Sequence, residues 1–342
     1  MLLCDDTDEY EASAAHRVDE VADPCRAPPG VRCLVIMPRR GLLTMLLAYA
    51  AAGLCAALVW QRHPEAAPWL RALLAGLAAT LLLWLVGLAR RNPSVFDPYW
   101  SVAPIAVVAA WACDPASTAA QPLRQAIVVA LVTAWGLRLS YHWLRCFPGL
   151  DHEDWRYTDM RRSSGRLFPL VNLLVIHLIP TGMLGLACAA AYPALVTGDQ
   201  PLGPLDLLAA AVTLAAIVLE ARADRIMRAF RRGPRAPGEV CELGPWAWAR
   251  HPNYLGELGF WWGLYLFSAA ALPRDFFADW PPDLPALGPL VITALLVLYS
   301  APALDRRLAA RSPAYRDYMR RVPSLLPRRP RSVTGSHRAA AD

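Results

Sequence analysis

Apolar blocks recur along the 342-residue chain, most of them about 17 to 25 residues long, the length of helix that crosses a bilayer core. They lie at 41–60, 68–89, 99–113, 122–142, 168–192, 205–221, 254–272 and 286–304. This pattern constrains the fold more than any motif. In hydrocarbon, every backbone N–H and C=O needs a partner within the protein, so only helices and closed barrels can span a membrane. Continuous apolar runs of this length select helices. The expected fold class is therefore all-α, a polytopic membrane helix bundle of about eight transmembrane helices. Pro104 and Pro180 interrupt two blocks, which neighbouring helices tolerate by satisfying the freed carbonyls.

Arginine placement sets the expected topology. With the N-terminus inside, the loops 61–67, 114–121, 193–204 and 273–285 hold only Arg62 and Arg274. The other side carries Arg39 and Arg40, Arg90 and Arg91, Arg145, Arg156, Arg161, Arg162 and Arg166, the cluster from Arg222 to Arg235, Arg250, and the C-terminal tail. Eight spans with both termini cytoplasmic satisfy the positive-inside rule. The chain is thus read as an integral, multi-pass membrane protein, of the inner membrane if bacterial. Arg71 and Arg124 fall near block ends, where they are expected to snorkel. All 34 basic residues are arginine. That excludes Schiff-base and phosphate-loop lysine chemistry, and nothing in the pattern points to a nucleic acid.

Residues 1–38 are charged and aperiodic, and are expected to be a disordered or misassigned extension, with Met37 an alternative start. Residues 39–327 form the expected bundle and 328–342 a disordered tail. The eight cysteines contain no C-x-x-C pair and read as free thiols. His142, His152, His177 and His251 lack metal-ligand spacing, so no metal site is expected. His177, in an apolar run, reads as a hydrogen-bonded bundle residue.

Ionisable groups in or beside membrane helices are expensive, which makes them functional candidates. Arg138, Tyr141, His142 and Arg145 are spaced i, i+3, i+4, i+7 and share a helix face. They read either as a helix end among headgroups or as a cationic stripe facing the bundle interior. Glu220, Asp224, Arg228 and Arg231 form a second stripe, either solvated ion pairs or a phosphate clamp. In RHPNYLGELGFWWG, Pro252 suits a first helical turn, and Asn253, Glu257 and Trp261 follow on one face. A helix N-terminus beside Arg250 and His251 suits an anion. Trp261 and Trp262 are expected to be an interfacial belt. The loop LDHEDWRY is more specific than a solvated acidic turn, but periodicity assigns it no role.

Several segments, in order, resemble the steroid 5-alpha-reductase-like membrane family, in particular its bacterial branch: FDPYWSVAPI, AWGLRLSYHWLR, HEDWRY, NLLVIHLIPT, EARADRIMRAFRR, GPWAWARHPNYLGELGFWWG and SAPALDRRL with YRDYMRRVPSLLP. Together they cover residues 95 to 327. The resemblance implies an NADPH-dependent reductase of a conjugated carbon–carbon double bond in a lipidic substrate (steroid-like, isoprenoid or enoyl). Asn253, Tyr254 and Glu257 match the family's cofactor contacts. Asp224, Arg228 and Arg231 match its groups around the adenosine and phosphates, and Arg145 an arginine of an earlier helix. Arg250 and His251 are expected beside the cofactor. For the pair that polarises the substrate carbonyl, the nearest counterparts are Asp97 and Tyr141, with His142 as the alternative to Tyr141. The RHPNYLGE element is also similar to that of isoprenylcysteine-type membrane methyltransferases using S-adenosylmethionine. That alternative stays open, as does a non-catalytic lipid-binding protein.

Overall fold

The computed structural model describes residues 39–146, 149–236, 238–273 and 284–328. The expected extension over 1–38, and all of the expected tail beyond Arg328, lie outside the described residues. Among the described residues the fold is helical, with no strand. The helices are α1 (Arg39–Arg62), α2 (Pro68–Arg90), α3 (Tyr99–Ala112), α4 (Pro122–Cys146), α5 (Trp155–Ser164), α6 (Phe168–Val171), α7 (Ile179–Ala189), α8 (Pro204–Arg232), α9 (Pro252–Ala271), α10 (Leu284–Ala294), α11 (Ala301–Arg311) and α12 (Pro313–Arg321). Proline opens α2, α4, α8, α9 and α12. Its fixed φ suits a first turn, whose N–H groups have no intrahelical acceptor. A π-helical turn over Asn172–Leu178 joins α6 to α7, and another over Leu295–Ser300 joins α10 to α11.

Seven runs among the described residues are long and apolar enough to cross a bilayer: Gly41–Arg62, Pro68–Arg90, Pro93–Ala112, Pro122–Cys146, Trp155–Ala189, Pro204–Arg232 and Pro285–Arg311. The short block at 99–113 gains length from the 3₁₀ turn Pro93–Phe96 ahead of α3. The remaining expected segment, 254–272, forms the 20-residue helix α9. It is not among the seven, because Asn253, Glu257 and its Trp and Tyr residues lower its hydropathy.

Contacts divide the chain into two compact units, Met1–Asp114 with Val132–Gly185, and Pro115–Leu131 with Leu186–Asp342. In the described part of the first, Leu83, Val95, Phe96, Val108 and Val132 are essentially inaccessible. Gly136 lets α4 lie against α3, where any Cβ would collide with the Ser101 carbonyl. The Ser101 and Ser140 hydroxyls then meet at 2.8 Å.

In the second unit α8 and α9 pack antiparallel over three glycines of α9. A Cβ at Gly256 would lie 2.6 Å from that of Glu220, and one at Gly259 2.9 Å from that of Ala216, while Gly263 faces Thr213. Small residues at i, i+3 and i+7 allow this approach, as membrane helix pairs require.

Two expectations are corrected here. Arg71 and Arg124 do not snorkel. Arg71 is buried and pairs with Asp114 at 2.6 Å. Arg124 is fully buried, with bonds of 2.6 and 2.9 Å to Asp206 and further bonds to the carbonyls of Gln200 and Pro201. Each has an acid within reach to satisfy it, so neither needs water. Cys55, Cys113, Cys188 and Cys241 are free thiols as expected, whereas Cys146 is disulfide-bonded.

Candidate functional site

The RHPNYLGE element forms a helix start with its first polar groups held in two ways. Some are committed within the protein. Arg250 donates to Asp305 through Nε at 3.3 Å and Nη2 at 2.7 Å, and to the carbonyls of Met319 and Val322 at 3.2 and 2.5 Å. His251 Nε2 lies 2.9 Å from Asp305, and the Tyr315 hydroxyl donates to the same carboxylate at 2.6 Å. Burial first, and then the Asp305 charge, hold the Tyr315 phenol protonated well above its ordinary range. The residues after α12 run beside this turn. Arg250 and His251 N–H groups donate to Pro323 and Ser324 carbonyls at 2.9 Å, and the Arg328 N–H to the Trp248 carbonyl at 3.2 Å. Arg250 and His251 therefore anchor the C-terminal strap to the start of α9.

Asn253 differs. It is half-buried, and its amide oxygen is inaccessible and has no hydrogen-bond partner among the described residues. Tyr254 is buried and stacks on His251, ring centroids 5.1 Å apart. Glu257 is buried and accepts from Trp261 Nε1 at 2.9 Å. Trp261 is itself buried, so it is not part of a headgroup belt, and Trp262 donates to Thr293 at 3.1 Å. The α8–α9 register brings Asp224 level with Pro252 and Asn253, one turn beyond the Gly256–Glu220 contact. Glu220 and Asp224 are buried, and Arg228 and Arg231 are half-buried further along the same helix.

The first unit holds the other predicted residues. Asp97 is buried, but its hydroxyl partner is Tyr157, which donates at 2.5 Å. Tyr141 is 55% exposed and accepts from Arg145 Nη1 at 2.8 Å. His142 is buried, its Nε2 3.9 Å from the Cys146 sulfur. The stripe thus splits: Tyr141 and Arg145 pair at the surface while His142 turns inward.

Around Asp97 the chain builds a polar floor. Asp154 caps α5, accepting from the Arg156 backbone at 2.8 Å and from its guanidinium at 2.8 and 2.6 Å. Burial pushes the Asp154 carboxyl up, but the Arg156 hydrogen bonds and charge outweigh it and hold the carboxyl below its ordinary value. Asn92 joins the two loops, donating to the carbonyls of Leu150 and His152 at 2.8 and 2.7 Å and accepting from the Ser94 N–H at 2.9 Å. Tyr157 is not among the residues that the sequence singles out. The signal was the unusual EDWRY mixture, but no periodicity ties position 157 to position 97.

These features define an integral, multi-pass helical membrane protein with a polar cluster in each unit. The chain belongs to the family described as protein of unknown function DUF1295, whose sequence model matches residues 83–322. It is similar to an uncharacterised protein of Schizosaccharomyces pombe, C594.04c, 26% identical over 283 residues that make up 75% of this chain and 77% of that one. No solved structure matches the chain. The matched stretch takes in Asp97, Tyr157, the α8 stripe and the whole RHPNYLGE turn.

Proposed function

We propose that the chain is a membrane-embedded, NADPH-dependent reductase of a conjugated carbon–carbon double bond in a lipidic substrate, of the steroid 5-alpha-reductase-like kind. The observation that carries this reading is the Asn253 amide oxygen. A buried acceptor without a donor costs about 1–3 kcal/mol, and its setting, with Asp224 level with it and Arg228 and Arg231 further along the same face of α8, suits a ligand rich in amide, hydroxyl and phosphate groups. The residues fit NADPH on that count. Asn253 and Glu257 would meet hydrogen-bonding groups of the cofactor, with Tyr254 supporting them. Asp224 would accept from ribose hydroxyls, and Arg228 and Arg231 would bind phosphates as forked donors. Bound there, the cofactor supplies a hydride equivalent.

Arg250 and His251 take a positioning role in this reading, since Asp305 and the strap carbonyls already engage them. The chain's own contribution to the chemistry is charge stabilisation. As electron density builds on the carbonyl oxygen of an enone, a hydrogen-bond donor at that oxygen lowers the barrier. In this reading Tyr157 would take the part expected of Tyr141, which faces outward: its hydroxyl would turn from Asp97 to the substrate oxygen.

The test is ligand-induced thermal stabilisation of the detergent-purified protein with NADPH, NADH and S-adenosylmethionine. Stabilisation grows as RT ln(1 + [L]/Kd), about 2.7 kcal/mol at a hundredfold excess over Kd. A shift with NADPH, lost in Asn253→Ala and Arg228→Ala variants that still fold, is the expected result. A shift with S-adenosylmethionine alone would replace reduction by methyl transfer. No shift with any of the three would leave the lipid-binding alternative.

A further inference from the structure

A second site lies in the second unit, on the other flank of α9. A cleft of about 750 Å³ runs between α9 and the span formed by α10, the π-turn and α11, closed at one end by the C-terminal strap. The two walls are antiparallel: Trp262 bonds to Thr293 at one level and Arg250 to Asp305 at another. From Thr293 to Arg306 the cleft follows the span for about 20 Å, at 1.5 Å of rise per helical residue. Its lining is apolar for most of that length, with Leu255 and Leu258 on one wall, Val297 and Pro302 on the other, and Leu325 and Leu326 at the strap.

Charge is confined to the strap end. The ion pair of Arg250 and Asp305 is internally neutralised. Arg306, beside it in the lining, is exposed and has no hydrogen-bond or ion-pair partner among the described residues. The mouth of the cleft at the strap is apolar too: Leu326, in the lining there, is 76% exposed. Main-chain bonds from Arg250 and His251 hold that strap in place, so its leucines form a fixed wall. An apolar trough with a single unpaired cation at its end selects an amphiphile with one anionic head. The volume lies in the range of a single small-ligand site.

We infer that this cleft binds a lipid with a single acyl chain and a carboxylate head, the chain lying along Leu258 and Val297 and the carboxylate on Arg306. The planar carboxylate matches the guanidinium fork. This inference does not rest on the nucleotide site, which occupies the α8 side of α9.

The experiment uses the full-length protein in phosphatidylcholine nanodiscs and a palmitate carrying a photoactivatable diazirine on its chain. The expected crosslinks fall on the cleft walls around 255–258 and 297–302 and at the strap. Excess palmitate suppresses them and methyl palmitate does not. Arg306→Gln, at an exposed position and with an unchanged melting temperature, lowers the yield about fivefold, the upper range for a partly exposed ion pair. Leu258→Trp fills the trough and removes the label. Crosslinks spread evenly over the exposed helices, equal competition by methyl palmitate, or an unchanged yield in Arg306→Gln would each overturn the site. Competition by dioleoylphosphatidate in place of palmitate would overturn the single-chain carboxylate. If Leu258→Trp does not fold, the Arg306→Gln and competition results decide alone.

Discussion

Tyr157 donates its hydroxyl to Asp97 across 60 positions of sequence, at 2.5 Å. The bond joins the first turn of α5 to the turn before α3, and it gives a buried carboxyl group its hydroxyl partner. Tyr157→Phe leaves that carboxyl without the donor. The expected loss of stability is about 1–3 kcal/mol, the cost of stranding a buried polar group. Asp97→Leu in the Tyr157→Phe background, where neither partner remains, recovers part of it. Thermal melting of the two single variants and the double variant measures the coupling. Additive losses would show that the bond contributes nothing.

Glycines divide into those that a helix leans on and those that face open space. Gly256→Ala is expected to destabilise by about 1–3 kcal/mol, the cost of overpacking, since its Cβ would meet Glu220 and the Ala216 carbonyl. Gly185→Ala, in a helix with nothing within 4 Å, should stabilise by about 0.5–1 kcal/mol through helix propensity alone. Equal effects at the two positions would refute the close α8–α9 packing.

The Arg124–Asp206 pair is buried with its hydrogen bonds complete. Removing one partner strands the other charge. Arg124→Met should cost about 3–5 kcal/mol, and Arg124→Met with Asp206→Leu considerably less. Folded yield and melting temperature in detergent give the comparison. A double variant no better than the single would mean that the carbonyl contacts of Arg124, and not the ion pair, matter most.

Asp154 carries a pH dependence whose sign follows from its lowered carboxyl. A carboxyl held lower in the folded state stabilises the fold fully above its unfolded value of about 3.9. That contribution is lost as pH falls through the folded value. Arg156→Gln removes the main cause. The wild type should therefore melt higher than Arg156→Gln at pH 7, with the gap closing as the pH falls below about 4. A gap that stays constant down to pH 3 would assign the effect of Arg156 to packing.

The sequence by itself determined the helices and the lipid environment. Apolar runs of spanning length allow little else, and Pro252 marked the start of α9. It also determined the composition of the RHPNYLGE face, because Asn253, Glu257 and Trp261 at i, i+4 and i+8 must share a side of any helix. Tertiary structure decided everything that depended on what lies across from a residue. Periodicity reports a face but not its neighbour. Arg250 and His251 therefore read as anion ligands until Asp305 proved to be opposite them, and Trp261 as a headgroup residue until packing buried it. Arg71 and Arg124 looked positioned to reach water because their acids, Asp114 and Asp206, lie 43 and 82 residues away. A separation of 60 positions likewise hid the pairing of Tyr157 with Asp97. Buried charges are satisfied by whichever partner the packed chain brings within about 3 Å, and only the folded chain fixes which one that is.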